Sequence, residues 1–531
     1  LRVSHRIRSV PTPVLAGLLV FLMAFGFYAV TTSQLSGYEP ETAAVTEGLV
    51  LEGHIRDVDD AALPTLKAEL PGRGGHYYAR TGLLQPLLEA PFYAAGHFVD
   101  GHFGWTEPVP YRLAFLWLYN PFVAALAAVA LFALVYLTRR SLGWAATLAA
   151  LFVFASIAWP YAKIGMETTF MFAVLTAFAL AAWARGRPTA TAWGLTGFAA
   201  GAAAATKPYA AVALLPIAIL LWPSWIALDR RQRLRLGIAA ALPVLAWIAA
   251  IGWYNWSRFG GATDFGYPES ALTLSMPLNV LGLLFSPGKG LILYSPLVIL
   301  GALGIPRLWR QDRWLAAALI VLLAALTCVS GASTYWGDEV WGPRYVVPAA
   351  WALLLPIAWW ADTPTRRRVL AGVAVIAFAV QLVGASAYYG QYVPVVQKLT
   401  GVPIYENRFS GIDTERIPYG DDPTRWIPQL SPLLLQSEGL ISTQLLNRFG
   451  SDGLTVTYDP FEGRSRSVNL SDPAVRMELD YFWRALMPTT VARVFAALMG
   501  LLALVSGYGL YRIARRGEAA SPAPASGTLS S

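Results

Sequence analysis

The chain has 531 residues with a net charge of +8, and 56% of them are hydrophobic. Only 14% are charged, whereas an ordinary soluble domain carries about 25%, and the mean hydropathy is +0.48. Such depletion, with repeated apolar runs of about 20 residues, excludes a soluble globular fold and points to an all-α polytopic membrane protein. The positive charge is no sign of a nucleic-acid partner, because the basic residues stand in short loops between apolar runs, where they set topology. The single cysteine, Cys328, lies inside such a run, which excludes a disulfide framework and a thiolate metal site.

In chain order about twelve spans are expected, near 13–32, 113–137, 142–160, 168–184, 190–206, 209–227, 236–256, 290–306, 314–332, 345–361, 367–388 and 490–512. The first follows Arg2, Arg6 and Arg8 and precedes no small-residue cleavage pattern, so it reads as a retained signal anchor. Arg139–Arg140, Arg185 with Arg187, Arg230 to Arg235, Arg307 to Arg313, Arg366–Arg368 and Arg515–Arg516 fall in alternate loops. The positive-inside rule places all of them, and both termini, on the cytoplasmic side. The opposite face then carries a first loop (33–112), residues 257–289, the link "STYWGDEVWGPRY", and a soluble block. Residues 1–390 are expected to form the membrane module and 391–489 a small mixed α/β extracytoplasmic domain, with strand-like stretches "GLTVTYD" and "RSVNL". A last helix at 490–514 and a disordered cytoplasmic tail at 515–531 complete the reading. No repeat of fixed period is visible, nor the paired broken helices of many transporters.

The polar residues that are not topology signals all map to the extracytoplasmic mouth. Glu39 and Glu41 open the stretch "GYEPETAAVTEGLVLEG". Pro40 suits the first position of a helix, which makes Glu39 an N-cap and puts Glu41 in the first turn, where the helix dipole favours a carboxylate. The following "AAVTEGLV" reads as an interfacial helix, with Glu47 and Glu52 toward solvent. Residues two apart point in different directions, so one of Glu39 and Glu41 is expected to reach the reacting atoms, unless both simply cap this helix. His76, Tyr77, Tyr78 and Arg80 follow in "HYYAR", and Lys163 and Glu167, spaced to pair, occupy "YAKIGMETTF". Lys207 lies in "ATKPYA", Lys289 in "FSPGKGLILYSP", and Asp338, Glu339, Trp341 and Arg344 in "YWGDEVWGPRY". There the two acids are placed either to bind a metal or to pair with Arg344. Charges at membrane depth usually line a cavity or pair with each other, and a mouth with this many suggests a pocket for a charged ligand. Lys207 and Lys289 have the alternative of snorkelling to the interface. "SPGKG" lacks the full GxxxxGK(S/T) spacing, which excludes a nucleotide triphosphate there.

The first helix, the acidic first loop and the run through "HYYARTGLLQPLLEAPFYAAG" resemble the GT-C superfamily of integral membrane glycosyltransferases. So do "YAKIGMETTF", "ATKPYA", "SPGKGLILYSP" and "WGDEVWGPRYVVPAAW", and the likeness covers roughly residues 10 to 390. The chain is similar to bacterial phospholipid-carrier-dependent members, related to the protein mannosyltransferase and aminoarabinose transferase types. Many relatives carry an Asp-Glu pair in the first loop, where this chain has Tyr38 before Glu39.

The resemblance implies a GT-C-like fold in a bacterial cytoplasmic membrane, with extracytoplasmic interfacial helices in the first loop and the active site on that face. It implies a polyprenyl-phosphate sugar as donor, an envelope glycan, lipid or protein as acceptor, membrane lipids as surroundings, and inversion by direct displacement. Some relatives use a divalent cation (Mg, Mn or Ca), for which Glu39, Glu41 and Glu167 would be the ligands. The chemistry agrees with this. An attacking hydroxyl needs a carboxylate base, for which Glu39, Glu41 and Glu167 stand as candidates. A departing phosphate needs fixed cations: Arg344 and Lys207 first, then Lys289 and Lys163. His76, Tyr78, Arg80, Asp338, Glu339 and Trp341 are candidates for substrate contact. The competing expectation is a transporter or flippase of a lipid-linked sugar, which would need alternating access and polar sites near the midplane.

Overall fold

The structure, a computed structural model, describes residues 12–33, 40–55, 72–103, 111–165, 167–266, 273–333, 336–337, 340–401, 423–459, 465–481 and 489–519. Helix α1 (Thr12–Thr31) is continuous apolar chain, and α2 (Pro40–Glu47) begins on Pro40, whose fixed φ suits a first helical position. A π turn (Gly48–Glu52) carries α2 on to Gly53, where φ is +70° and the helix stops. Then come α3 (Leu84–Phe103), α4 (Tyr111–Arg139) and α5 (Leu142–Ala155), the last capped by the Ser141 hydroxyl. The chain bends at Ser156 and continues as α6 (Ala158–Ile164), α7 (Thr168–Arg185) and α8 (Ala190–Ala204). A 3-10 segment (Pro208–Ala213) leads into α9 (Leu214–Ile226), and a capping box between Asp229 and Gln232 starts α10 (Arg230–Phe259).

Shorter pieces follow: α11 (Met276–Phe285), α12 (Leu291–Tyr294), α13 (Leu297–Gln311), α14 (Arg313–Gly331), α15 (Val347–Ala350), α16 (Ile357–Trp360) and α17 (Pro364–Ser386). Among the described residues eight segments are long and apolar enough to cross a membrane: 12–31, 114–139, 168–185, 208–226, 230–259, 313–331, 364–386 and 493–516. Four expected spans take another form. The span at 142–160 is split between α5 and α6, and that at 190–206 is the 15-residue α8. The span at 290–306 breaks at Ser295–Pro296, and that at 345–361 breaks into pieces around Pro348 and Pro356. Proline removes a backbone donor and crowds the preceding turn, which favours the breaks at Pro296, Pro348 and Pro356, although Pro121 and Pro243 are accommodated inside long helices.

The helices pack around one large apolar core. Gly26 of α1 lies against Met499 and Ala503, and Leu19 lies against Gly509, so α1 and the last helix are antiparallel; a Cβ on Gly26 would strike the Met499 carbonyl. The arginine-bearing loops gather at one end. There Arg185 forms a bidentate pair with Asp312 at 2.6 and 3.1 Å. Arg307 and Arg366 share Asp362, Arg139 lies over Trp359, and Arg367 lies over Trp144.

At the other end, called the mouth below, a small mixed unit follows α17. It contains α18 (Val393–Thr400), α19 (Pro423–Trp426), α20 (Pro432–Leu440), and the antiparallel strands β1 (Thr455–Tyr458) and β2 (Arg466–Asn469), with Val456 opposite Val468. The two strands coincide with the stretches whose alternation predicts them. Tyr392, Val395, Leu435, Val468 and Met477 contribute to a separate core. The last helix, α21 (Thr489–Ala519), continues through 515–519, where the sequence suggests the start of a disordered tail, and residues 520–531 lie outside the described part. Ala514, Arg515, Arg516, Glu518 and Ala519 are good helix formers, which supports the extension in spite of Gly517.

Candidate functional site

Three segments meet at the mouth, each delivering one charge. Glu167 immediately precedes the 18-residue α7, Lys207 precedes the 3-10 segment at Pro208, and Arg344 opens another 3-10 turn. The Lys207 ammonium donates to Glu167 Oε1 at 2.7 Å, and Arg344 Nε donates to the same oxygen at 3.1 Å. The Tyr209 hydroxyl donates to Oε2 at 3.0 Å. The acid side chain is fully buried, while those of Lys207 and Arg344 are 20% and 18% exposed. One carboxylate facing two cations leaves the trio with a formal charge of +1, at the amino end of a long helix whose dipole adds to it. Both cations are held on the buried acid and remain partly exposed, and Arg344 has a further partner beyond Glu167.

The second half of the first loop is bolted beside this cluster. Arg258, almost fully buried near the end of α10, donates to the carbonyls of Ala79 and Thr81 and to the Asn255 side chain. Gly82 sits so close to the Thr206 carbonyl that any Cβ would collide with it, and Leu84 N donates to Ala205 O at 3.2 Å. The 79–84 segment is thereby held against the turn that carries Lys207. Helix α2 packs on this segment through Val45 and Ala79. Glu41, one turn before Val45, shares its face of α2. Thr46 and Gln85 donate to the two oxygens of Glu89 at 3.0 and 2.9 Å, tying α2 to α3 around a buried acid.

Lys163 and Glu167 do not pair, although they stand four apart. The chain between them turns at Gly165, with φ at +82° and Asn120 packed against it, which directs the two side chains apart. Lys163 instead lies 3.2 Å from Asp480 Oδ2 and donates to Ala385 O at 2.8 Å, with both charged side chains almost fully buried. Ser33 donates to the same aspartate oxygen at 2.6 Å, and Asp480 N donates to Ser386 O. Lys163 is thus consumed in a contact between the bundle and the C-terminal unit and is not part of the cation cluster. Lys289 is fully buried as well, its ammonium donating to the Val340 carbonyl; Arg425 of α19 lies nearby over Trp336 and donates to Gly337 O. Trp341 is buried, with its carbonyl accepting from the Tyr161 hydroxyl and its ring against Tyr294. That wraps it into the core rather than facing a ligand.

His76 is exposed, and Tyr78 and Arg80 are partly exposed, on the strap between Gly72 and Gly82. Of the acids expected toward solvent, Glu52 is exposed and faces His54 at 3.0 Å, while Glu47 is half-buried. Glu39, Asp338 and Glu339 lie outside the described residues. Among the described residues no three His, Cys, Asp or Glu side chains gather as a metal site. Both oxygens of Glu167 already accept from Lys207, Arg344 and Tyr209, and a carboxylate engaged by two cations and a hydroxyl does not fit a metal ligand. Sequence reasoning missed Tyr209, Glu89, Arg258 and Asp480. Tyr209, two residues after Lys207, looks like one more core aromatic, and Asp480 lies 317 positions from its lysine. No family model matches the sequence, and no curated protein matches it.

Proposed function

We propose that the protein is a GT-C-type glycosyltransferase that moves a sugar from a polyprenyl-phosphate donor to a hydroxyl of an extracytoplasmic acceptor. In this reading the chain crosses the membrane twelve times, the broken segments counted with the eight long ones, and the mouth faces away from the cytoplasm. One observation carries it: two partly exposed cations, Lys207 and Arg344, held on one buried carboxylate beside the strap of the first loop. The donor phosphate would take these two cations from the outer side while its lipid tail remains in the bilayer. The acceptor oxygen attacks the anomeric carbon, the bond from that carbon to the phosphate oxygen breaks, and the polyprenyl phosphate leaves with the electron pair. The hydroxyl proton passes to a first-loop carboxylate, Glu41 or Glu39. Charge developing on the leaving phosphate is met by cations already in position, which is where preorganisation contributes most. Glu167 holds the cations, and is not the base in this scheme, because its oxygens are occupied.

The test is transfer in nanodiscs with a panel of radiolabelled polyprenyl-phosphate sugars and a crude envelope acceptor. Wild type should move label to the acceptor. Lys207→Gln and Arg344→Gln should each lower the rate about 10²- to 10³-fold, the usual loss for one transition-state donor. Glu41→Gln together with Glu39→Gln should abolish transfer. Full transfer by both cation variants would remove the phosphate assignment. Labelled lipid crossing the bilayer without consumption of any donor would establish the transporter reading instead.

A further inference from the structure

The C-terminal unit carries an apolar stripe that its own core does not use. From Pro432 the chain runs as one helical segment, with α20 followed by a π turn (Ile441–Leu445) and a 3-10 turn (Leu446–Phe449). Its inner face is accounted for. Leu435 enters the domain core, Gly439 lies against Met477, and the Ser442 hydroxyl meets Ser471 at 2.9 Å. On the outer face Leu434, Ile441, Leu445 and Phe449 are 40, 46, 51 and 81% exposed. Large apolar side chains in series on an exposed face mark an interaction surface.

The surroundings identify what covers it. The start of the segment is anchored in the bundle: Leu433 packs on the main core, and its N–H donates to the Tyr294 hydroxyl at 3.2 Å. Just before it, the half-exposed Trp426 lies 6.2 Å from Trp336, which rests on Gly282 of α11. Helix α11 turns Leu278, Leu281 and Phe285 outward. The exposed apolar surface therefore runs from the outside of the bundle, across Trp426, and along the segment. Arg448, exposed and donating to Gln444, borders the stripe on its polar side. Apolar residues on one flank and a basic residue on the other are the pattern of a helix lying in a bilayer interface.

We propose that residues 432–449 lie along the membrane–water interface, with Ile441, Leu445 and Phe449 seated among lipid acyl chains. The C-terminal unit is then held to the bilayer surface by this segment and to the bundle by contacts such as Lys163–Asp480. The proposal does not depend on the transferase reading.

The experiment uses the full chain in nanodiscs on a Cys328→Ser background. Spin labels are placed singly through Ile441→Cys, Leu445→Cys and Phe449→Cys, with Asn447→Cys as the control on the polar side. Accessibility to oxygen, which concentrates in lipid, is compared with accessibility to a water-soluble nickel complex. The three stripe labels should favour oxygen and lie about 5–10 Å below the phosphate level, while the label at 447 should favour nickel. Stripe labels that favour nickel would overturn the proposal. Labels shielded from both reagents and immobilised would also overturn it, because a second copy or another protein would then occupy the stripe. All four positions are on the surface, and an unchanged melting profile for each variant confirms that the label has not unfolded the unit.

Discussion

Replacing Glu167 by Gln tests the cluster at its centre. The side chain keeps its shape, but the charge that faces Lys207 and Arg344 is lost. Both cations contact one oxygen, at 2.7 and 3.1 Å, so with the acid neutral they repel each other across about 5 Å. At an effective dielectric of about 20 that repulsion is about 3 kcal/mol. Removing one partner of a buried pair costs about 3–5 kcal/mol overall, and the two figures agree in scale. Glu167→Gln should therefore lower resistance to unfolding by a few kcal/mol in phosphate-free buffer, read by denaturant titration in mixed micelles. A phosphomonoester should restore part of the loss, because it takes the place of the missing negative charge, and its stabilising effect should exceed that seen with wild type. Sugar transfer should fall in the same variant, since the cations are no longer fixed. An unchanged stability would show that the clamp does not form. A loss that phosphate cannot offset would refute the view that the site is built for an anion.

The contact between bundle and C-terminal unit makes a second test. Lys163→Met and Asp480→Leu should each cost about 3–5 kcal/mol by stranding a buried charge, and the double variant should recover most of it, as a double-mutant cycle would measure. Gly82→Ala should push the strap off the Thr206 carbonyl, at a cost of about 1–3 kcal/mol, and speed amide exchange across residues 72–84. Asp472 has its carboxyl pulled below the usual range by the Ala474 N–H and by Lys398. A carboxylate depressed in the folded state stabilises at pH above its unfolded value of about 3.9 and loses that contribution as pH falls through the folded value. Amide exchange around residues 466–477 should accelerate in that acid window, and an Asp472→Asn variant should lack this acid-dependent step.

Hydropathy and loop charge made the helices and the grouping of the arginine loops legible, because both are local properties of chain composition. The arginine loops expected to share a side do meet, through Arg185 with Asp312 and Arg307 with Asp362. The start of α2 at Pro40 and the two strands were equally readable, one from proline geometry and the other from alternation. Length was misread where Pro296, Pro348 and Pro356 interrupt apolar runs that hydropathy alone treats as continuous. At the site, individual residues were visible and their partners were not. Glu167, Lys207 and Arg344 stand out as charges near a membrane, but the acid joins partners 40 and 177 positions away. The pairing of Lys163 with Glu167 that their spacing suggested fails because Gly165 reverses the backbone between them.

Because of that reversal, a four-residue turn holds a lysine and a glutamate facing opposite ways, each neutralised by groups from elsewhere. Lys163 is met by Asp480, and Glu167 by Lys207 and Arg344. Asp480 lies outside the membrane module and supplies the negative charge that meets the Lys163 ammonium once the Gly165 turn has directed it away from Glu167. Without it, the negative charge on the same turn is Glu167, and a lysine that moves there competes with the two cations for one carboxylate. The expected consequence is that removing Asp480 disturbs the cluster through charge. The asymmetry between its two partners follows: Asp480→Leu should weaken the hold on Lys207 and Arg344 and alter phosphate-dependent stabilisation, whereas Lys163→Met, which leaves no competing cation, should leave that stabilisation unaltered. Adding Lys163→Met to Asp480→Leu should return it to the wild-type value. Equal effects of the two single variants would mean that the unit supports the mouth by packing alone.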